Sequence, residues 1–220
     1  MISILCPTRG RPNGALLTRT SAEATAGGDI EVLFGVDSDD PARPEYEGLG
    51  INYRLLAPDG PMGGRWNELA RLCSGDVFFL GNDDLHFQTH DWDLAVKEAT
   101  AVYDDEIYVA WPNDGINGER HCAFPFVSRR FASVVGSFVP ECFKFFYHDT
   151  WLFDLGRRIN RLVYMPDVFI EHLHFTKGKS KYDETYRRNR GNGSQLDKAT
   201  FEMNASLRAQ QADKLRGAMK

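Results

Sequence analysis

Ser74-Gly75-Asp76-Val77-Phe78-Phe79-Leu80-Gly81-Asn82-Asp83-Asp84 decides how this chain is read. Val77–Leu80 is a short apolar run, the pattern of a strand buried on both faces. It ends at Gly81, and the chain then meets two adjacent carboxylates with no basic neighbour. Like charges packed together are unfavourable unless a cation offsets them. Hard divalent ions such as Mg2+ and Mn2+ take carboxylate oxygens and bridge phosphates. Taken alone, the motif fits an exposed acidic turn capping a helix equally well.

Working outward, Ile2–Cys6 is another short apolar run, stopped by Pro7, Gly10 and Pro12, and reads as a buried strand. Residues 15–26 suit a helix that Gly27-Gly28 would end. Residues 31–36 and 51–56 read as strands, the first closed by the turn-forming Asp37-Ser38-Asp39-Asp40-Pro41. Trp66, Leu69, Ala70 and Cys73 line one face of a helix over 65–73. Strands alternating with helices predict an α/β fold, a mostly parallel central sheet flanked by helices. The second half is less regular, with helices over 91–102, 131–135 and 148–159 and strands over 107–111, 124–127 and 168–175. Residues 177–194 are polar and read as a mobile loop, and 195–218 as a weakly docked helix with few large apolar residues. The expected division is a catalytic domain over 1–176 and a basic loop with a helical tail over 177–220.

Hydrophobic residues make up 42% of the chain, enough for a sizeable core. No apolar run approaches the ~20 residues that span a bilayer, so no membrane partner is expected. The first strand reaches Pro7 and Arg9 too soon for a signal peptide. Four widely spaced cysteines without a C-x-x-C argue against a disulfide framework or zinc site, and the expected compartment is the cytoplasm. The net charge of −5 is uneven. Residues 176–220 hold eleven Lys and Arg against five acids, a net +6, leaving −11 for the rest. A basic tail on an acidic body suggests an anionic partner, or simply a solvated helix surface.

Ligands of open parallel sheets bind at the carboxyl ends of the strands. Three polar clusters fall there: Pro7-Thr8-Arg9-Gly10-Arg11, Asp37–Asp40 and Asn82-Asp83-Asp84. Further on, His172 and His174 stand two apart on an expected strand and so share a face. Either histidine completes a metal shell with Asp84, or the two form a hydrogen-bonded strand pair. Asp149 stands at a helix start between aromatic residues. It reads as a helix cap, with Thr150 the alternative cap, or as a general base. The loop Trp111–Gly118 is a turn-rich connection placed to shape a pocket.

In order along the chain, Ile4–Arg9, Val36–Asp40, Arg65-Trp66-Asn67, Ser74–Asp84 and His148-Asp149 resemble the inverting family-two glycosyltransferases of the glycosyltransferase A fold. The resemblance covers residues 2–84 well and 120–175 loosely. It implies a nucleotide-diphosphate sugar donor, with uridine as the usual nucleoside, and Mn2+ or Mg2+ as cofactor. Thr8 and Arg9 would line the nucleotide, and Asp37 would bond its base. Arg65 and Asn67 sit where the family contacts the donor. Asn82-Asp83-Asp84 matches the D-x-D position, with Asp84 as the direct metal ligand. Asp149 matches the catalytic base, and His172 or His174 a histidine that closes over the diphosphate. Arg9, Arg11 and Arg65 are candidates for phosphate contacts. Two departures stand out: Asn82 for the first acid and His148 for the usual Glu.

The acceptor is the least legible part. Lys177–Arg190, with Tyr182 and Tyr186 interleaved, suits an arm that contacts DNA phosphates. A hydroxymethylated base in DNA is therefore one expected acceptor, beside a saccharide, a lipid-linked sugar or a protein. Two other functions fit the same pattern. One is a nucleotidyltransferase, which would release pyrophosphate but usually carries a Gly-rich loop with a Lys after its first strand. The other is a module that binds nucleotide sugars without turnover.

Overall fold

The computed structural model describes residues 1–58, 60–190 and 193–220. Gly191 and Asn192, inside the stretch expected to be a loop, lie outside the described residues, as does Asp59.

Among the described residues eight strands form one sheet in the order β3-β2-β1-β4-β7-β6-β8-β5. In chain order they are β1 (Ile2–Thr8), β2 (Ile30–Asp37), β3 (Tyr53–Leu56), β4 (Val77–Leu80), β5 (Leu85–Phe87), β6 (Val109–Asn113), β7 (Phe126–Ser128) and β8 (Leu162–His172). The longer helices are α1 (Pro12–Thr25), α3 (Met62–Leu72), α4 (Trp92–Thr100) and α6 (His148–Ile159); α2 (Arg43–Glu47) and α5 (Arg129–Val135) are short. The C-terminal part holds α7 (Glu184–Arg190), α8 (Gly193–Met203) and α9 (Ala205–Ala218).

Period-two alternation places the two hydrophobic cores. Ile2, Ile4 and Cys6 of β1 and Phe79 of β4 face one side, packing with Ala15, Ala22, Trp92 and Val96 from α1 and α4. Leu5, Phe78 and Leu80 face the other, packing with Trp66 and Leu69 of α3 and Trp151 and Leu155 of α6. Full burial of one such Phe or Leu contributes about 1.5–3 kcal/mol.

β3, β2, β1 and β4 run parallel, and β6 runs parallel to β8. β7 runs antiparallel to β4 and β6, and β5 to β8. The sheet is thus mixed in its second half. The link from β6 to β7 carries only a 3-10 turn at Gly118–Arg120, and a return without a covering helix leaves the strands antiparallel. β8 starts earlier than the sequence suggested and stops at His172; a register shift opposite Pro112/Asn113 accommodates its length.

The C-terminal segment departs most from expectation. Ala212 and Leu215 of α9 are fully buried, and Trp151 Nε1 donates to Gln211 Oε1 at 2.8 Å. Arg208 Nε donates to Asp154 Oδ2 of α6 at 2.8 Å, with its guanidinium 3.6 Å over the Phe201 ring. The single helix expected over 195–218 is two, α8 and α9, parted at Asn204, and α9 docks firmly because a buried ion pair and a few small contacts replace the wide apolar stripe that was missing.

Candidate active site

β1 and β4 pair in register, Leu5 beside Leu80, so the residues that follow them emerge together. Trp66 fastens α3 to both strand ends, donating to Leu5 O at 3.1 Å and Gly81 O at 3.2 Å. Gly14 lets α1 approach closely: a Cβ there would run into the carbonyl oxygen of Asp83. The result is a cavity of about 510 Å3 at the carboxyl end of the parallel strands, lined by Thr8, Arg9, Arg11 and Arg65 and by Asn82-Asp83-Asp84. Asn117, His121, Asp149, His172, His174, Tyr186 and Arg188 line it as well. Asp84 and Asp149, 65 residues apart in sequence, therefore line one space.

The carboxylates after β4 do have a basic neighbour, which comes from the loop after β1. Arg11 Nη1 lies 3.0 Å from Asp83 Oδ1 and 3.6 Å from Asp84 Oδ2. Burial raises the Asp83 pKa and the adjacent Asp84 charge adds to it, while Arg11 and the Thr8 hydroxyl, 2.7 Å away, oppose the rise. Asp84 goes the other way. Burial works against ionisation, yet His172, Arg11 and the Tyr186 hydroxyl hold its pKa below the usual value. His172 Nε2 lies 3.4 Å from Asp84 Oδ2, and Tyr186 Oη donates to the same oxygen at 3.1 Å.

No three His, Cys, Asp or Glu side chains among the described residues come together as a metal cage. The local chemistry still suits a divalent ion that draws other ligands from a diphosphate and water. Asp84 Oδ1 and His172 Nδ1 are buried and make no hydrogen bond. A carboxylate oxygen suits Mn2+ and Mg2+ alike, and an adjacent imidazole nitrogen favours the transition metal Mn2+ over Mg2+. The two histidines do not share a strand face, because His174 lies beyond β8 and begins a 3-10 turn. Its Nδ1 faces Thr176 Oγ1 at 2.8 Å, so His172 is the one that reaches Asp84.

Two donor-site expectations require correction. Asp37 is fully buried and does not line the cavity. Its carboxylate gathers Arg65 at 2.7 Å and Arg9 and Arg188 at 3.1 Å each. In this structure it holds the guanidiniums of Arg9 and Arg65, which line the cavity. Asn67 is engaged elsewhere too. Its Nδ2 donates to Val139 O and Glu141 Oε1, and its Oδ1 accepts from Val139 N, so it braces the 139–141 segment behind the cavity.

Asp149 does not occupy the cap position of α6, yet its Oδ1 accepts from the first-turn Thr150 N–H at 2.6 Å and from Thr150 Oγ1 at 3.2 Å. The cap position is Tyr147, in a left-handed conformation at φ 72°, and no side chain bonds the first turn from there. Asp149 lies in that first turn, where the helix dipole favours a negative charge. Its Oδ2 faces His121 Nε2 at 2.9 Å. The hydrogen bond to Asp149 raises the His121 pKa, against the effect of burial. His148 is enclosed between Trp66 and Phe143, with ring centroids at 5.1 and 5.4 Å, and burial pushes its pKa down to about 4. It is a neutral core residue.

Sequence reasoning missed His121, which stands outside every motif. It also missed what residues 183–197 do. Arg11 Nε donates to Asp183 Oδ2 at 2.7 Å, Thr185 Oγ1 to Arg9 O at 2.8 Å, and Arg11 lies 4.2 Å over the Tyr186 ring. The buried Asp197 of α8 accepts the backbone N–H groups of Lys144, Phe145 and Phe146 at 2.8–3.0 Å. It thereby shapes the loop beside Asp149. Of the basic arm, Lys179 pairs with Glu171, Arg187 with Glu184 and Arg188 with Asp37. Much of its charge is therefore met by the protein itself.

No family model and no curated protein sequence matches the chain. Solved structures do. A mannosyltransferase from Pyrobaculum calidifontis, in complex with GDP-Man and Mn2+, superposes with a TM-score of 0.58 at 12% identity, over 99% of this chain and 73% of its own. Residues 1–349 of S. aureus TarS in complex with UDP-GlcNAc give a TM-score of 0.56 at 13% identity, over 85% of this chain. The chain has the glycosyltransferase A fold. It spans 63% of that TarS fragment. A mycobacterial protein matches over the whole chain at 11% identity, with a TM-score of 0.57. No helix among the described residues is long and apolar enough to cross a membrane.

Proposed function

We propose that this chain is a metal-dependent, inverting glycosyltransferase that moves a sugar from a nucleoside-diphosphate donor, a UDP-sugar in the first instance, to an acceptor hydroxyl. The observation that carries the reading is the shared cavity. The Asp84–His172 pair, the guanidiniums of Arg9, Arg11 and Arg65, and Asp149 all line it. An in-line displacement needs a place for the leaving diphosphate opposite a proton acceptor.

Asp149 takes the proton of the acceptor hydroxyl as its oxygen attacks the anomeric carbon, and base catalysis of this kind contributes about 10²–10⁴-fold. The guanidiniums offset the charge that develops on the diphosphate. When bound, a divalent ion held by Asp84 and His172 supplies Lewis-acid stabilisation of the same charge. Attack from the face opposite the leaving group inverts the anomeric configuration. Tyr186 and Arg188 of α7 reach the same wall through Asp84 and Asp37.

The acceptor is a hydroxyl on a saccharide or on a hydroxymethylated base in DNA. The base reading rests on the 177–190 segment and predicts product formation that falls steeply with salt. The experiment is a product analysis. Purified protein is incubated with UDP- and GDP-sugars and Mn2+ and offered hydroxymethylated DNA and simple saccharides. Released nucleotide is resolved by chromatography and the anomeric proton of the product by NMR. Nucleoside diphosphate with an inverted product supports the reading. Pyrophosphate, or binding without turnover, contradicts it.

A further inference from the structure

His121 follows the 3-10 turn at Gly118–Arg120 and faces the first turn of α6. Its side chain and that of Asp149 are 32% and 28% exposed, and both line the cavity. The ring is held edge-on to Phe153 of α6, with centroids 6.0 Å apart. Two charged groups act on it across space: Asp149 from α6 and Asp114 from the loop after β6. On its own stretch, Glu119 and Arg120 precede it, and Arg120 turns to the carbonyls of Ile116 and Asn117.

A base that removes a proton from an acceptor must hold it until the displacement is complete. An ordinary carboxyl group gives up its proton near 4 and an imidazolium near 6.5. A proton shared between the two rests on the imidazole. His148, the chain neighbour of Asp149, cannot serve, because it is enclosed and kept neutral.

We propose that His121 is the proton partner of Asp149, receiving at Nε2 the proton that the carboxylate removes; the 2.9 Å contact between them is the hydrogen bond of the proton-loaded pair. This rests on the transferase reading. The acceptor O–H bond breaks and its proton passes through Asp149 to His121 Nε2, with the ring starting as its Nδ1–H tautomer and ending as the imidazolium. The acceptor oxygen bonds to the anomeric carbon, and the bond from that carbon to phosphate oxygen breaks, its electron pair leaving with the diphosphate. The step needs unprotonated His121, so the rate falls as pH drops through the His121 pKa, which its bond to Asp149 raises above 6.5.

The test uses water as acceptor, so that the natural acceptor is not required. Nucleoside-diphosphate release from a sugar nucleotide is followed from pH 5 to 9 for the wild type and His121→Gln, whose amide still donates to Asp149. Imidazole titrations by NMR are run in parallel on the wild type and Asp149→Asn. The proposal predicts an acid limb above pH 6.5 in the wild type. In His121→Gln that limb moves down into the carboxylate range, kcat falls about 10²-fold, and the donor KM stays put. It also predicts that Asp149→Asn lowers the His121 pKa. A His121→Gln variant with wild-type kcat and an unmoved acid limb overturns the proposal. So does an imidazole that titrates at its free value and ignores Asp149→Asn. A wild-type protein that releases no nucleoside diphosphate from any sugar nucleotide overturns the transferase reading itself, a separate result from an unshifted imidazole.

Discussion

Replacing Arg11 with Met removes the one cation that the structure places between Asp83 and Asp84 among the described residues. Its side chain is 13% exposed and theirs are 7% and 12%, so water does little to screen what remains. Breaking a buried ion pair by deleting one partner costs about 3–5 kcal/mol. Here the deletion leaves two carboxylates side by side and also frees Asp183, which holds α7 to the cavity. For a chain of this length each kcal/mol lowers Tm by about 2–4 °C, so Arg11→Met should melt about 6–20 °C below the wild type at pH 7.5 in a chelator. Two signatures separate this from general damage. The gap should narrow near pH 5, because Asp83, already raised by burial, takes up a proton. It should also narrow in millimolar Mn2+, which offsets the same charges. Differential scanning fluorimetry under the three conditions reads all of this. A variant within about 2 °C of the wild type in chelator at pH 7.5 would refute the view that Arg11 neutralises the pair.

Three further outcomes are expected. Asp149→Asn should fold and bind nucleotide sugar like the wild type but lose about 10²–10⁴-fold in transfer; steady-state kinetics beside calorimetric donor binding checks it, and wild-type turnover removes Asp149 from the mechanism. Arg208→Ala removes the buried partner of Asp154, which keeps Arg157 and Arg158, so the loss should sit at the low end of the range for a broken buried pair, about 3 kcal/mol in urea denaturation; no loss would mean that the last helix is held by other contacts. His148, held down to about 4 in the folded state, is protonated in the unfolded chain near 6.5. Its contribution is therefore intact above pH 6.5 and lost as pH falls from there to about 4, by about 3 kcal/mol. His148→Gln should flatten that part of a urea-midpoint profile, and His121, whose shift has the opposite sign, contributes equally to both proteins.

The first half of the fold was legible because each of its signals is local. Val77–Leu80 is apolar without a break and ends on glycine and carboxylates. Only a buried strand feeding a polar carboxyl-end loop reads that way. The same locality makes Asp84 and Asp149 visible as motif positions. The partners of those groups were not visible. Arg11 reaches Asp83 across 72 residues and His121 reaches Asp149 across 28, and periodicity carries no such information. Residues 183–190 looked like a solvated loop because their contacts are ionic and aromatic, Asp183 to Arg11 and Tyr186 to Asp84. No apolar stripe announces them. The final helix misled for the same reason, being anchored by Arg208 on Asp154. Asn67 looked like a donor contact from its place beside Arg65, yet its amide faces Val139 and Glu141. Helix phase, which a motif does not state, decides which neighbour points into the cavity.

The central claim is that Asp84 grips a divalent ion on which the donor diphosphate sits. Its most direct test is the thermal shift of wild type and Asp84→Asn against UDP-sugar, in Mn2+ and in chelator. Ligand-linked stabilisation of about 2.7 kcal/mol is expected at a hundredfold excess over Kd. The account predicts that shift for the wild type in Mn2+ alone, and none for Asp84→Asn under either condition. Equal stabilisation of both proteins in chelator would contradict it.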